Sequence, residues 1–143
     1  MRLAGHPVHP MLVHFPIVFW SCALAADVAG VFAHASRAAE LASATLALGG
    51  ASGLLAMIAG IFDFVGLAKD SPARDPAVTH LMAMCSAWLI FLTALALHGF
   101  PPKPEISIVA LATTVVGFVI MAFGGWLGGK LVYEFGVGRK PAS

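Results

Sequence analysis

Charge is what this sequence has least of: eight Lys and Arg and seven Asp and Glu make up only 10% of 143 residues, and the net charge is +1. Such a chain has no basic stripe with which to grip a phosphate backbone, which argues against nucleic-acid binding. Cysteine is scarce too. Cys22 and Cys85 lie in separate apolar runs with no CxxC spacing, so they read as small packing residues rather than a disulfide framework. No serine or cysteine nucleophile stands in a recognisable motif with a base, which argues against hydrolytic chemistry.

What the chain does have is apolar length. It is 59% hydrophobic, with a mean hydropathy of +0.91. Charge-free runs cover residues 41–62 and 106–129, with shorter ones at 15–26 and 81–97. Crossing a bilayer takes about 20 apolar residues, so four spans use most of the chain, at about 15–33, 41–67, 77–99 and 105–130. The expectation is one all-α domain, residues 1–143, forming an integral membrane four-helix bundle without a soluble catalytic domain. A cleavable signal peptide ending near Ala23-Leu24-Ala25 is the rival reading of the first run. Only Arg2 supplies an n-region, and apolar character continues past Asp27 to Phe32, so the first helix is kept.

Punctuation places the helix ends. Pro16 is best tolerated in a first helical turn, which starts the first span near Phe15, after a segment held extended by Pro7 and Pro10, with His6 and His9 pointing the same way. Asp75-Pro76 reads as an N-cap and first helical residue. Pro101-Pro102-Lys103-Pro104 ends the third span. With four crossings, both termini and the central loop share a side that collects Arg2, Lys69, Arg74, Lys130, Arg139 and Lys140, against Arg37 and Lys103 opposite. The excess of basic residues predicts a cytoplasmic location for that side and a multi-pass protein of the cell inner membrane.

Three imidazoles stand at the mouth of the first span, in Gly5-His6-Pro7-Val8-His9-Pro10-Met11-Leu12-Val13-His14-Phe15-Pro16. Titratable groups in hydrocarbon are costly, about 2.5–3.5 kcal/mol for a mid-bilayer charge on insertion scales, which makes the segment a candidate site. The even count of crossings adds Asp63, His80, Tyr133 and Glu134 at the same membrane face. His14 and His80 open parallel spans at similar depth, a geometry that suits two axial ligands on one iron. His34 and His98 lie about 30 and 27 Å away along the helices and read as interfacial residues. Asp27 reads as paired with a hydroxyl or snorkelling, with a proton path as the functional alternative. Met82 and Met84 could offer thioethers to copper but read as filler. Trp20, Trp88 and Trp126 read as packing or belt aromatics. Gly49-x-x-x-Gly53, Gly124-x-x-x-Gly128 and Gly125-x-x-x-Gly129 are small faces for close packing within the bundle or across a homodimer, with room for a flat cofactor as the alternative.

The opening motif, Asp63, Arg74 followed by His80, and the closing Gly-Gly-Trp-Leu-Gly-Gly-Lys-Leu-Val-Tyr-Glu-Phe-Gly-Val-Gly at 124–138 resemble the bacterial four-helix membrane family filed as domain of unknown function 2231, over essentially the whole chain. The resemblance implies a site at His6, His9, His14, Asp63, His80 and Tyr133. Because some members of that family are joined to Rieske-type iron–sulfur domains, it also implies proximity to electron transfer, although this chain has no cysteine–histidine ligand pairs of its own. Three functional classes follow. One is a haem b or quinone-linked redox protein with His14 and His80 as axial ligands and Arg74 and Tyr133 beside the cofactor. Another is a zinc, copper or non-haem iron site drawn from His6, His9, His14, Asp63 and His80. The third is a structural accessory subunit whose polar groups tie helix ends together. Transport is a weaker fourth, since nothing in the sequence shows a broken helix lining a path. The expected partners are the lipid bilayer and a redox protein or quinone.

Overall fold

The computed structural model describes residues 2–3, 6–99 and 101–138, with side chains described from Pro7 onward. A short helix α1 (Val8–Leu12) leads into α2 (His14–Ala33), followed by α3 (Ala38–Val65), α4 (Arg74–His98) and α5 (Ile108–Tyr133). Arg2–Leu3 pairs antiparallel with His6–Pro7 just before α1. Among the described residues, four stretches are long and apolar enough to cross a membrane: Val8–Ala33, Ala38–Val65, Arg74–His98 and Ile108–Tyr133. Each of α2 to α5 packs on its neighbour in sequence, and α2 also meets α5, closing an up-down ring; α1 lies against α3.

The first span starts earlier than Pro16 alone predicts. Pro7 is the N-cap of α1, so Pro10 falls in that helix's first turn, where its missing N–H is no loss. The proline-rich segment is therefore helical from Val8, not extended. Pro16 cannot donate to the Leu12 carbonyl, and that missing bond separates α1 from α2 at Val13, whose own backbone stays right-handed helical, φ −63° and ψ −22°. At the third span, Ala73 occupies the N-cap position and Asp75-Pro76 lie within the first turn. Ser71 there accepts from the Ala73 N–H at 3.3 Å. Ser107 caps α5 by accepting from Ala110 N–H at 3.1 Å, which sets its start beyond Glu105.

Size, rather than polarity, distinguishes the inner and outer faces of these helices. Ala23, Ala42, Ala56, Ala87, Ala94 and Ala110 are buried, while Val18, Phe32, Leu41, Leu55, Phe62 and Val119 are exposed. In lipid the large apolar side chains gain nothing by turning inward, and small ones let backbones approach. At the centre Trp20 stacks on Phe91, ring centres 4.3 Å apart and planes within 14°. Trp20 is 1% exposed and lies against Gly49 and Gly53 of α3. Phe91 lies against Gly117 of α5. The flat group admitted by the Gly49-x-x-x-Gly53 face is thus the chain's own indole. Trp88 packs beside it and donates Nε1–H to the Gly50 carbonyl at 2.9 Å. Gly124 receives the Met84 side chain, whereas Gly125 and Gly129 have open space above them.

A Cβ at Gly49 would overlap the indole of Trp20. Gly49→Ala is expected to cost about 1–3 kcal/mol through overpacking. Gly125→Ala meets nothing and should stay within about 0.5 kcal/mol of the parent. Unfolding of both variants in detergent measures the difference.

Candidate functional site

At the end of the bundle that carries the termini, two imidazoles face each other. His9, on α1, places its ring over Gly60 of α3, where a Cβ would come within 3.1 Å of it. Its Nδ1 is 2.8 Å from the Ala56 carbonyl. His80, one turn and a half into α4, lies in the same way over Gly128 of α5, with Nδ1 2.8 Å from the Gly124 carbonyl. The ring centres are 6.3 Å apart and the planes cross at 82°.

These contacts assign the tautomers. A carbonyl only accepts, so each Nδ1 carries its hydrogen and donates it to the neighbouring helix. Each Nε2 is then left with its lone pair available. Fixing one ring nitrogen on a backbone carbonyl so that the other can act as a ligand is the usual way a protein orients a coordinating histidine. Helix from Val8 onward and the glycines at 60 and 128 make the arrangement possible, since any side chain at either glycine would push against the ring.

The remaining residues singled out in the sequence are placed differently. His14 was expected opposite His80, but its ring is on the outside of α2, with Nδ1 3.4 Å from the Met11 carbonyl. The turn of the helix decides this: five residues separate His9 from His14, which puts them on different faces. Asp63 is half-buried, three residues and so nearly one turn past Gly60 on α3. The side chain of His6 lies outside those described. Arg74 sits over the Phe64 ring, 4.9 Å from its centre, and donates to the Leu67 carbonyl at 3.5 Å. It thereby fastens the 66–73 loop to a cluster of Ala73, Ala77 and Leu131 with Phe64, Leu67, Phe135 and Val137 around it. Tyr133 is 80% exposed. Among the described residues, no group of three or more His, Cys, Asp or Glu is gathered closely enough to hold a metal ion.

A second polar pair occupies the opposite end, between two residues that the sequence alone does not join. His98 is buried rather than interfacial and meets the fully buried Asp27 across the bundle, Nε2 to Oδ1 at 2.8 Å. The signal was available in the sequence: one acid and one imidazole, each near the same end of its span. Their spacing of 71 residues concealed the contact. His34, by contrast, is exposed and closes α2 in a left-handed conformation, φ 48°.

Because His9 and His80 each bind a different helix and also touch one another, His9→Ala and His80→Ala should each destabilise the bundle. Each is expected to cost about 0.5–1.5 kcal/mol for the lost hydrogen bond, with a coupling between them of at least about 0.5 kcal/mol in a double-mutant cycle. His14→Ala, which removes an exposed ring, should change stability by less than about 0.5 kcal/mol. Chemical or thermal unfolding of the four variants tests this.

No curated protein and no solved structure matches this chain. A family model does, over residues 5–141. It covers the opening histidine–proline motif, all four spans and the closing glycine-rich segment, and with it the chain belongs to DUF2231, a family of predicted membrane proteins.

Proposed function

We propose that this membrane protein binds haem b between His9 and His80 and serves membrane electron transfer, with the termini on the cytoplasmic side of a bacterial inner membrane. The observation that carries this reading is the pair of imidazoles with both Nδ1 atoms committed to backbone carbonyls and both Nε2 atoms without a hydrogen-bond partner among the described residues. The two rings stand together at one end of the bundle, with centres 6.3 Å apart, and would be the residues that hold the group. The donor count points the same way. Two neutral imidazoles are a protein donor set that suits an iron whose other ligands would come from a porphyrin.

When bound, the haem would supply one-electron chemistry. The chain's own part is to orient both rings through Ala56 and Gly124, and to keep them among small and apolar side chains. Arg74 and Tyr133 do not enter this reading, since one is engaged with Phe64 and Leu67 and the other faces outward. A quinone or redox protein as electron partner, and a second copy packed against the open Gly125 and Gly129 face, belong to the same proposal.

A structural role is the second reading, favoured by the same hydrogen bonds seen as cross-links: His9 ties α1 to α3 and His80 ties α4 to α5. Absorption spectra and metal content of protein purified in mild detergent separate the two. A Soret band is expected, lost in His9→Ala and in His80→Ala and kept in His14→Ala and Tyr133→Phe. Colourless protein holding stoichiometric zinc or copper would replace haem with a bare metal. Protein with neither would leave the cross-linking role.

The orientation has its own test. A reporter active only in the cytoplasm should work when fused at the C-terminus and fail when inserted beside Lys103. The reverse pattern would overturn the orientation drawn from the basic residues.

A further inference from the structure

The buried Asp27–His98 pair, at the end of the bundle away from the termini, has a proton count that can be worked out from its contacts. His98 Nδ1 is 2.8 Å from the Ala94 carbonyl, so it carries a hydrogen and donates it. His98 Nε2 is 2.8 Å from Asp27 Oδ1. Two lone pairs cannot meet at that distance in a buried site, so a proton lies between them. It rests either on Nε2, giving imidazolium and carboxylate, or on Oδ1, giving neutral imidazole and carboxylic acid. Moving it from one to the other changes no net charge. Removing it would leave an uncompensated negative charge inside the bundle, which hydrocarbon penalises heavily.

The other carboxyl oxygen, Asp27 Oδ2, is buried and has no hydrogen-bond partner among the described residues, and neither has the hydroxyl of Ser43, which is 3% exposed. Ser43 is unusual in this. Ser21, Ser52, Thr93 and Thr114 each return their hydroxyl to the carbonyl one turn back. The register of the antiparallel α2–α3 pair sets Ser43 level with Asp27. Trp20 meets Gly49 on one side of them, and Gly30 meets Ala38 on the other. Two orphaned buried polar atoms at one depth match the requirement of a bound water, which needs at least two polar partners.

We propose that Asp27, His98 and Ser43 form a proton-holding site: one proton held between His98 Nε2 and Asp27 Oδ1, and one water bridging Asp27 Oδ2 to Ser43 Oγ. The water donates to the carboxyl oxygen and accepts from, or donates to, the hydroxyl. A groove of about 510 Å³ opens at this end of the bundle, lined by Ala26, Ala29, Ser36, Arg37, Glu40 and Leu41, and the fully buried Asp27 is not among its walls. The charged groups around the pair are few. Arg37 and Glu40 stand exposed at the head of α3. Lys103, in the loop after α4, donates to the Leu97 carbonyl at 3.2 Å, and Glu105 follows it in the same loop. The buried residues of α5 at this depth, Ala110 and Thr114, carry no charge.

The test uses the full chain in lipid nanodiscs with nitrogen-15 histidine labelling, and with His98→Gln to identify the His98 signals. At neutral pH the ring nitrogen shifts and the infrared carboxyl region together should report one shared proton. Either both ring nitrogens are protonated beside a carboxylate, or one is protonated beside a carboxylic acid band that Asp27→Asn removes. A singly protonated ring beside an ionised carboxylate overturns the proposal. Ser43→Ala tests the water without disturbing the pair. It should shift the Asp27 carboxyl band and slow its deuterium exchange, and an unchanged band with unchanged exchange overturns the bridging water even if Asp27→Asn does not fold.

Discussion

Everything in this bundle depends on the absence of a hydrophobic force between helices already surrounded by hydrocarbon. Leu, Ile and Phe are as well solvated by lipid as by one another, so helices are held by close contact and by the few hydrogen bonds that cross between them. The bundle answers with small inward faces, and the closest approaches are where a large ring needs a glycine opposite: Trp20 on Gly49 and Gly53, Phe91 on Gly117, His9 on Gly60 and His80 on Gly128. The Trp20–Phe91 stack fills the middle of the bundle, leaving the polar groups to the two ends.

The two ends solve the same problem differently. At the termini end, His9 and His80 each satisfy one nitrogen on a neighbouring helix and keep the other available, which is the arrangement of a ligand pair. At the far end, Asp27 and His98 are buried against each other, with the second carboxyl oxygen of Asp27 left over. A buried acid is tolerated there only because a partner and a proton come with it. The chain therefore carries a donor pair on one side and a proton-holding pair on the other, separated by an apolar core.

Reading along the chain located the spans because each is a long run without charge, and it brought the histidine-rich opening, Asp63 and His80 to one face by counting crossings. It could not select which histidine meets His80. That choice turns on whether the segment before Pro16 is extended or helical, and a proline in a first turn is compatible with both. The chain is helical from Val8, so His9 swings onto Gly60 and His14 turns outward. Likewise Asp27 and His98 are each ordinary residues for a helix end, and nothing local in either segment marks the other as a partner.

The sequence by itself determined the class, the number of crossings and the end of the bundle at which each residue lies, because these follow from apolar length and parity, which are properties of the chain taken one segment at a time. Only the tertiary structure decided which rings touch and which atoms are left over. Those depend on the rotation of each helix about its axis, and rotation is set by the fit of Trp20, His9 and His80 against glycines on other helices rather than by any pattern within one span.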